Sequence, residues 1–137
     1  MELELQTCID VSNQNIVTFI IDNPTDSDIW INPQYLTFYF GIYSNDGNLI
    51  SRKTTRHLNG LESEYVKVEK KSKKELEWIA DFFDNYHFET NKEYYLECGY
   101  EPPHLRRKEI KKLKESNIVL SENQFDGKSN LFRICKI

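Results

Sequence analysis

Short runs of alternating apolar and polar residues follow one another along most of the chain. Leu3 and Leu5 share one side of the first run, and Tyr94, Leu96 and Cys98 share one side of a later run. A period of two residues is typical of β-strands with one buried face. The pattern predicts strands at residues 3–11, 16–21, 29–31, 36–42, 49–55, 65–68, 92–100, 118–120 and 130–137.

Turn-forming residues separate these runs. Asp46-Gly47 predicts a hairpin, because glycine supplies the positive φ that such turns need. Strands at short intervals with turns between them favour a β-sandwich with Greek-key connections. We expect the last two runs, at residues 94–100 and 125–137, to pair with each other at the end of the chain.

Two segments have helical features. Ser72-Lys73-Lys74-Glu75 fits a capping box, and Leu76, Ile79 and Phe83 follow at helical spacing. These features predict a helix over residues 73–84. Residues 105–115 are rich in helix formers and fit either a helix or a charged excursion at about 102–117. The predicted fold is therefore all-β, with one or two short helices inserted between strands.

Three stretches resemble bacterial single-domain immunoglobulin-like proteins, the group that includes the intracellular proteinase inhibitors of bacilli. The turn at Asn23-Pro24-Thr25-Asp26 resembles their Asn-Pro-Ser/Thr-Asp turn, and residues 84–100 resemble the approach to their penultimate strand. Gly127-Lys128-Ser129-Asn130 resembles the entry to their last strand, one residue short. Lys92 stands where a glycine is usual, and Cys98 where a small residue is usual. The resemblance implies an immunoglobulin-like Greek-key sandwich and transfers no active site.

Length and charge narrow the class of protein. The 137 residues suit one domain over 1–137, and the net charge of −4 argues against general nucleic-acid binding. The charge is uneven: residues 75–101 carry eight acids and one base, whereas residues 104–115 carry six bases and two acids. An acidic surface speeds association with a basic protein.

The expected compartment determines the expected oxidation state of the cysteines. No apolar run approaches membrane-spanning length, and the chain opens on a strand pattern rather than a signal peptide. The three cysteines, Cys8, Cys98 and Cys135, are then expected as reduced thiols in the cytoplasm, with Cys98 and Cys135 acting as small hydrophobic residues. The alternative is a redox or disulfide role for Cys98 and Cys135, whose strands could be neighbours.

Candidate catalytic chemistry is sparse. The three histidines are isolated, and the sequence has no metal-binding motif, no activated-serine motif and no glycine-rich phosphate loop. We therefore predict no catalytic residue, no metal and no cofactor. His87 and Glu89 are the weak alternative, as part of a metal or hydrolase site that the motifs do not reveal.

Aromatic residues stand among the acids of residues 75–101. Exposed aromatic anchors within a charge field of one sign are typical of protein-binding surfaces. Tyr95 is out of phase with the buried Tyr94 and Tyr100, so we expect it to face outward. The alternative is that these rings cover a second sheet face. The predicted partner-binding residues are Trp78, Asp81, Phe82, Asp84, Tyr86, Tyr95 and Glu97.

These observations predict a non-catalytic protein-binding module, an intracellular immunity protein or inhibitor that neutralises a toxin or hydrolase. The alternative is a structural or assembly module of a secretion or surface system, which binds through an edge strand. The expected partner is a protein, rather than a membrane or nucleic acid.

Overall fold

The computed structural model describes residues 1–37, 39–50, 65–80, 83–102 and 104–136. They form a mostly β fold with several sheets and no barrel. Pro33–Thr37 and Phe83–Asn85 are 3₁₀ turns, and the described residues contain one α-helix, α1. The strands and helix are β1 (Glu2–Glu4), β2 (Cys8–Asp10), β3 (Asn15–Asn23), β4 (Ile29–Ile31), β5 (Tyr39–Ser44), β6 (Val66–Val68), β7 (Ser72–Ala80), β8 (Tyr94–Tyr100), α1 (Arg107–Glu115), β9 (Phe125–Lys128) and β10 (Arg133–Lys136).

One three-stranded sheet has the order β1-β3-β7, with both pairings antiparallel. β3 is rich in β-branched residues, which favour strands. Its inward side chains Val17, Phe19 and Ile21 are buried. The predicted central strand at 16–21 is confirmed, although it is buried on one face only because Ile16 points outward and is 50% exposed.

A second sheet has the order β5-β8-β9, also antiparallel. Tyr94, Leu96, Cys98 and Tyr100 of β8 are all buried, as their alternation predicts. The inner faces of the two sheets contribute to one hydrophobic core, in which Phe83 and Phe132 also take part.

The predicted helix over residues 73–84 is wrong. Residues 72–80 are strand β7, which pairs with β3 along its whole length, from Asn15 opposite Ala80 to Asn23 opposite Ser72. Nine residues of pairing and burial of Trp78 and Ala80 outweigh a weak local capping signal. The Ser72 hydroxyl donates a hydrogen bond of 2.7 Å to the Glu69 carbonyl, in the turn before the strand.

At each end of the chain, two successive strands belong to different sheets. The predicted first strand at 3–11 is two strands: β1 joins β3, whereas β2 pairs in parallel with β10. The predicted pairing of the last two runs is confirmed for β8 and β9. Phe132 still bridges Tyr94 of β8. The prediction is wrong for the final residues, because β10 pairs with β2 from Arg133 onward.

The expected reduced state of Cys8 and Cys135 is also wrong. The two residues form a disulfide between β2 and β10, with 5.4 Å between their Cα atoms. Cys98 is free and buried, in agreement with its expected role as a small hydrophobic residue. The disulfide joins residues 127 positions apart, so it ties the first part of the fold to the last.

The segments that carry the family resemblance have structural roles. Asn23 is buried, and its side-chain amide donates to the Ser27 and Val68 carbonyls while its oxygen accepts from Thr25. Gly127 permits a close approach, because a Cβ there would lie 2.6 Å from Leu3 Cδ1. These contacts fix the turn after β3 and the position of the N-terminus beside β9.

The helix option for residues 105–115 is confirmed by α1, which covers Arg107–Glu115. None of its residues is buried. The segment after α1 returns to the sheets, where Leu120 bridges Trp30 of β4. The helix therefore stands at the periphery of the core.

Candidate functional site

Four carboxylates lie on the outer face of the β1-β3-β7 sheet. The strand register places Glu2 and Glu75 on either side of Ile20, and Glu4 and Glu77 on either side of Thr18. All four glutamates are exposed. We call this surface the outer face, defined by Glu2, Glu4, Ile16, Glu75, Glu77 and Ile79.

An apolar pair adjoins the carboxylates. Ile16 and Ile79 are directly opposite each other on β3 and β7. They are 50% and 48% exposed, respectively. Single exposed apolar residues are ordinary on protein surfaces, but a cross-strand pair beside a mostly acidic surface combines apolar contact with long-range attraction. Lys73, opposite Asp22, is the basic residue on this side of β7.

The geometry of the sheet keeps the repulsion between carboxylates of different strands small. Adjacent strands are about 4.8 Å apart, so the glutamates of β1 and β7 are separated by about 10 Å across β3. This spacing exceeds the Debye length of about 8 Å at physiological ionic strength. Glutamates two positions apart on one strand are only about 7 Å apart, so each of these pairs repels more strongly than the charges across β3. Together the four carboxylates produce a negative field in front of the sheet.

Two of the predicted partner-binding residues belong to the core. Trp78 is 1% exposed and stacks on Phe19, with 5.8 Å between ring centroids. Tyr86 is 4% exposed and packs near Phe88. Their expected availability to a partner is wrong. In strand β7, Trp78 shares the inner face with Leu76 and Ala80.

The remaining predicted residues do not form one surface. Asp81 and Phe82 lie outside the described residues. Asp84 is exposed on the 3₁₀ turn at Phe83–Asn85. Tyr95 and Glu97 lie on the outer side of the other sheet, on β8.

The outward orientation of Tyr95 is confirmed, and it has neighbours there. Its ring stacks on Tyr43 of β5, with 5.4 Å between centroids, and Lys128 Nζ lies 5.3 Å from the ring centroid. Glu97 is directly opposite Lys128 on β9. Charges of both signs meet at this patch, so it is less acidic than the outer face.

Sequence reasoning missed Glu2, Glu4, Ile16 and Ile79. The acidic surface was predicted within residues 75–101, whereas Glu2 and Glu4 of the outer face come from β1. A signal was present, because Glu2 and Glu4 alternate with Leu3 just as Glu75 and Glu77 alternate with Leu76. Only the pairing of both strands with β3 brings the two sets together.

The long strand β7 is at the margin of its sheet. Among the described residues it has β3 on one side and no strand on the other. Nine residues is a long edge, and edge strands present unpaired backbone groups that can add a strand from another protein. Lys73 and Lys74 at its start are the kind of residue that limits such pairing.

The groups with possible catalytic chemistry are dispersed. Across the described residues, no group of three or more His, Cys, Asp or Glu side chains could hold a metal ion. His87 is exposed, while Glu89 forms an ion pair with Lys92 at 3.7 Å. Burial, with a smaller effect from Glu97, raises the pKa of the Cys98 thiol to about 12, so this thiol is a poor nucleophile.

No helix in the described part of the chain is long and apolar enough to cross a membrane. No protein-family model matches the chain, and a search of curated proteins found no match.

Proposed function

We propose that the protein is a non-catalytic binding module that docks a basic protein through the outer face. The observation that carries the proposal is the exposed Ile16–Ile79 pair beside the carboxylates of Glu2, Glu4, Glu75 and Glu77. Apolar contact would supply affinity, and the negative field would speed the encounter. Backbone pairing of β1 and β7 with β3 would hold these groups at fixed positions relative to one another.

An immunity protein or inhibitor is the role that suits such a module best. A small acidic protein can neutralise a toxin or hydrolase by covering a basic substrate-binding surface, since many such enzymes act on anionic substrates. Rapid capture matters for neutralisation, and electrostatic steering can raise association rates by about 10- to 1000-fold.

We also propose that the fold is the immunoglobulin-like Greek key of the bacterial family named above. The sheet orders β1-β3-β7 and β5-β8-β9 agree with strands A, B, E and C, F, G of that architecture. The structural roles of Asn23 and Gly127 support the same assignment.

The disulfide bears on where the protein acts. We expected the cytoplasm, where thiols are kept reduced. A bond between the exposed Cys8 and Cys135 favours an oxidising compartment instead. We therefore propose that the binding activity operates in an oxidising compartment rather than in the reducing cytosol.

A second candidate function uses the edge of β7. A structural or assembly module could add a strand of another protein to this nine-residue edge. An oxidising compartment is equally suitable for a component of a secretion or surface system.

Affinity capture from the source cells with two charge-reversed variants separates these proposals. Glu2→Lys/Glu4→Lys alters the outer face at β1, on the opposite side of β3 from β7. Glu75→Lys/Glu77→Lys alters the outer face at β7. We expect both variants to lose a protein that the wild type captures, because both remove half of the carboxylates.

The matched control is Glu109→Lys/Glu115→Lys on α1, which makes the same change in net charge away from the outer face. It should still capture the protein. Capture that is lost only in Glu75→Lys/Glu77→Lys would support the β7 edge, and capture that survives in all three variants would exclude the outer face.

A further inference from the structure

Three consecutive basic residues, Arg106, Arg107 and Lys108, stand at the start of α1. We call them the basic run. All three are exposed. Arg106 has an extended backbone, with φ −74° and ψ 156°, and the helix begins at the next residue. The basic run therefore lies on the surface at a boundary between extended and helical backbone, and it shares no residue with the outer face.

The first turn of α1 is weakly stabilised. The first N–H groups of a helix have no partner within the helix, and at Arg106 no side-chain cap replaces one. Arg107 and Lys108 add positive charge at the positive end of the helix dipole, which is unfavourable. Glu109, the acidic residue of this turn, offsets only part of that charge. The turn should therefore open readily.

Packing adds little to the stability of α1. The helix has nine residues and none of them is buried. An isolated helix shorter than about 12–15 residues is only marginally stable in water, so a short helix depends on packing for its stability. Segments with few buried contacts open locally at low free energy, and proteases cut a folded chain in such open forms. The start of α1 should therefore be cut more readily than a paired strand such as β7.

The side chains of the basic run define the class of protease. A specificity pocket with a carboxylate at its base selects a basic side chain before the bond that is cut. The bonds that follow Arg106 and Arg107 both meet this requirement. Hydrolysis after Arg107 consumes one water molecule, whose oxygen joins the Arg107 carbonyl carbon as a carboxylate. The Lys108 nitrogen leaves as a new terminal ammonium, which takes up the protons released.

Several links across the cut would hold the two parts of the chain together. Beyond α1, β9 pairs with β8 and β10 pairs with β2. The Trp30 N–H donates to the Val119 carbonyl at 2.9 Å, and the Ser121 N–H donates to the Trp30 carbonyl at 2.8 Å. The disulfide between Cys8 and Cys135 adds a covalent link. A cut at the start of α1 should therefore release neither part.

We propose that the basic run is a processing site, at which an endoprotease with an acidic specificity pocket cuts the chain after Arg106 or Arg107. The disulfide and the strand pairings then retain both parts as one folded unit. After the cut, α1 is attached only through its C-terminal end. This modification goes beyond the binding role of the outer face and does not depend on it.

Limited trypsin digestion of the oxidised, full-length protein tests the proposal, with Lys73 and Lys74 as an internal comparison. This second basic pair is also exposed, but it lies in β7 and is paired with β3. The variant Arg106→Lys/Arg107→Lys gives both sites the same side chains. In this variant, mass spectrometry of early time points should find cutting after residues 106 and 107 at least about tenfold faster than after 73 and 74. Equal rates at the two sites, or no cutting after 106 and 107, would overturn the proposal.

The same digest tests whether both parts are retained. Without reductant, the peptides that carry Cys8 and Cys135 should remain linked in a denaturing gel, and reduction should separate them. Under native conditions the cut protein should elute in size-exclusion chromatography as a single species with both parts present. Loss of the C-terminal part under native conditions would contradict its retention.

Two substitutions of Arg106 test the role of the missing cap. Arg106→Ser removes a basic residue and supplies an N-cap hydroxyl, whereas Arg106→Ala removes the same residue without supplying a cap. Both variants keep Arg107 and Lys108 as positions that trypsin can cut. The serine variant should be cut there about fivefold more slowly than the alanine variant, because a good N-cap lowers the population of the open turn by about that factor. Equal rates in the two variants would contradict opening of the first turn as the reason for cutting.

Discussion

The side-chain amide of Asn130 forms two hydrogen bonds with the backbone of Leu5. Its oxygen accepts from the Leu5 N–H, and its nitrogen donates to the Leu5 carbonyl, both at 3.0 Å. Asn130 thus replaces a strand neighbour at the point where the N-terminal segment passes from β1 to β2. The residue also marks where the C-terminal segment passes from β9 to β10.

Asn130→Ala should lower the free energy of unfolding by about 1 kcal/mol, because two exposed hydrogen bonds to the Leu5 backbone are lost. Urea denaturation under oxidising conditions measures this, with the disulfide intact in both proteins. An unchanged midpoint would mean that solvent replaces Asn130 without cost.

The disulfide between Cys8 and Cys135 should contribute more to the free energy of unfolding than Asn130 does. Its sequence separation of 127 residues constrains most of the unfolded chain, for which chain entropy predicts about 4–5 kcal/mol. Cys8→Ser/Cys135→Ser should therefore unfold at a much lower guanidinium concentration than the oxidised wild type. Reductant should lower the wild-type midpoint and leave that of the double variant unchanged. A wild-type midpoint that reductant does not move would contradict a stabilising disulfide.

Cys98 should resist alkylation in the folded protein. Burial raises its pKa to about 12, and thiolate is the reactive form. Without reductant, mass spectrometry should find no iodoacetamide adduct on the native protein at pH 8 and one adduct after unfolding in guanidinium. Rapid labelling of one thiol in the native protein would show that Cys98 is accessible.

Asp28 should make stability depend on acid pH. Its carboxylate accepts a hydrogen bond from the Lys70 backbone N–H at 2.8 Å and lies 3.5 Å from Lys67 Nζ. The N–H of Lys70, and to a smaller extent Lys67, lowers the pKa of Asp28 below its ordinary value of 3.8. A lowered pKa in the folded state stabilises the fold above the ordinary value. This stability is lost as the pH falls from about 4 through the folded-state pKa.

Asp28→Asn removes this titration. The wild type should therefore lose more stability than Asp28→Asn when urea midpoints are compared at pH 7 and pH 3. Equal losses in the two proteins would show that the contacts of Asp28 do not affect folding.

The sequence predicts where the strands lie along the chain better than it predicts which strands pair with each other. β3 and β8 are recognisable from alternation alone, because each buries one face in the core. β7 was not recognisable from the sequence. The capping signal at Ser72-Lys73-Lys74-Glu75 depends on neighbouring residues alone, whereas the strand depends on pairing with β3, which is distant along the chain. The helix at Arg107–Glu115 agrees with its local composition, because little tertiary contact competes with its helix propensity.

The candidate site was only partly predictable for the same reason. Acidic character at Glu75 was visible in the sequence, but its companions Glu2 and Glu4 are more than 70 residues away along the chain. Trp78 changed from a candidate contact to a core residue as soon as its segment became a strand. Likewise, the partnership of Cys8 with Cys135 depends on the parallel pairing of β2 with β10, which no local pattern encodes.

The most direct test of docking through the outer face is the association rate of the captured partner, measured at several ionic strengths with the wild type and the two outer-face variants. Docking through the outer face predicts that Glu2→Lys/Glu4→Lys and Glu75→Lys/Glu77→Lys each associate at least tenfold more slowly at low salt, with a weaker salt dependence. Association rates equal to those of the wild type at every ionic strength would contradict the proposed role of this face.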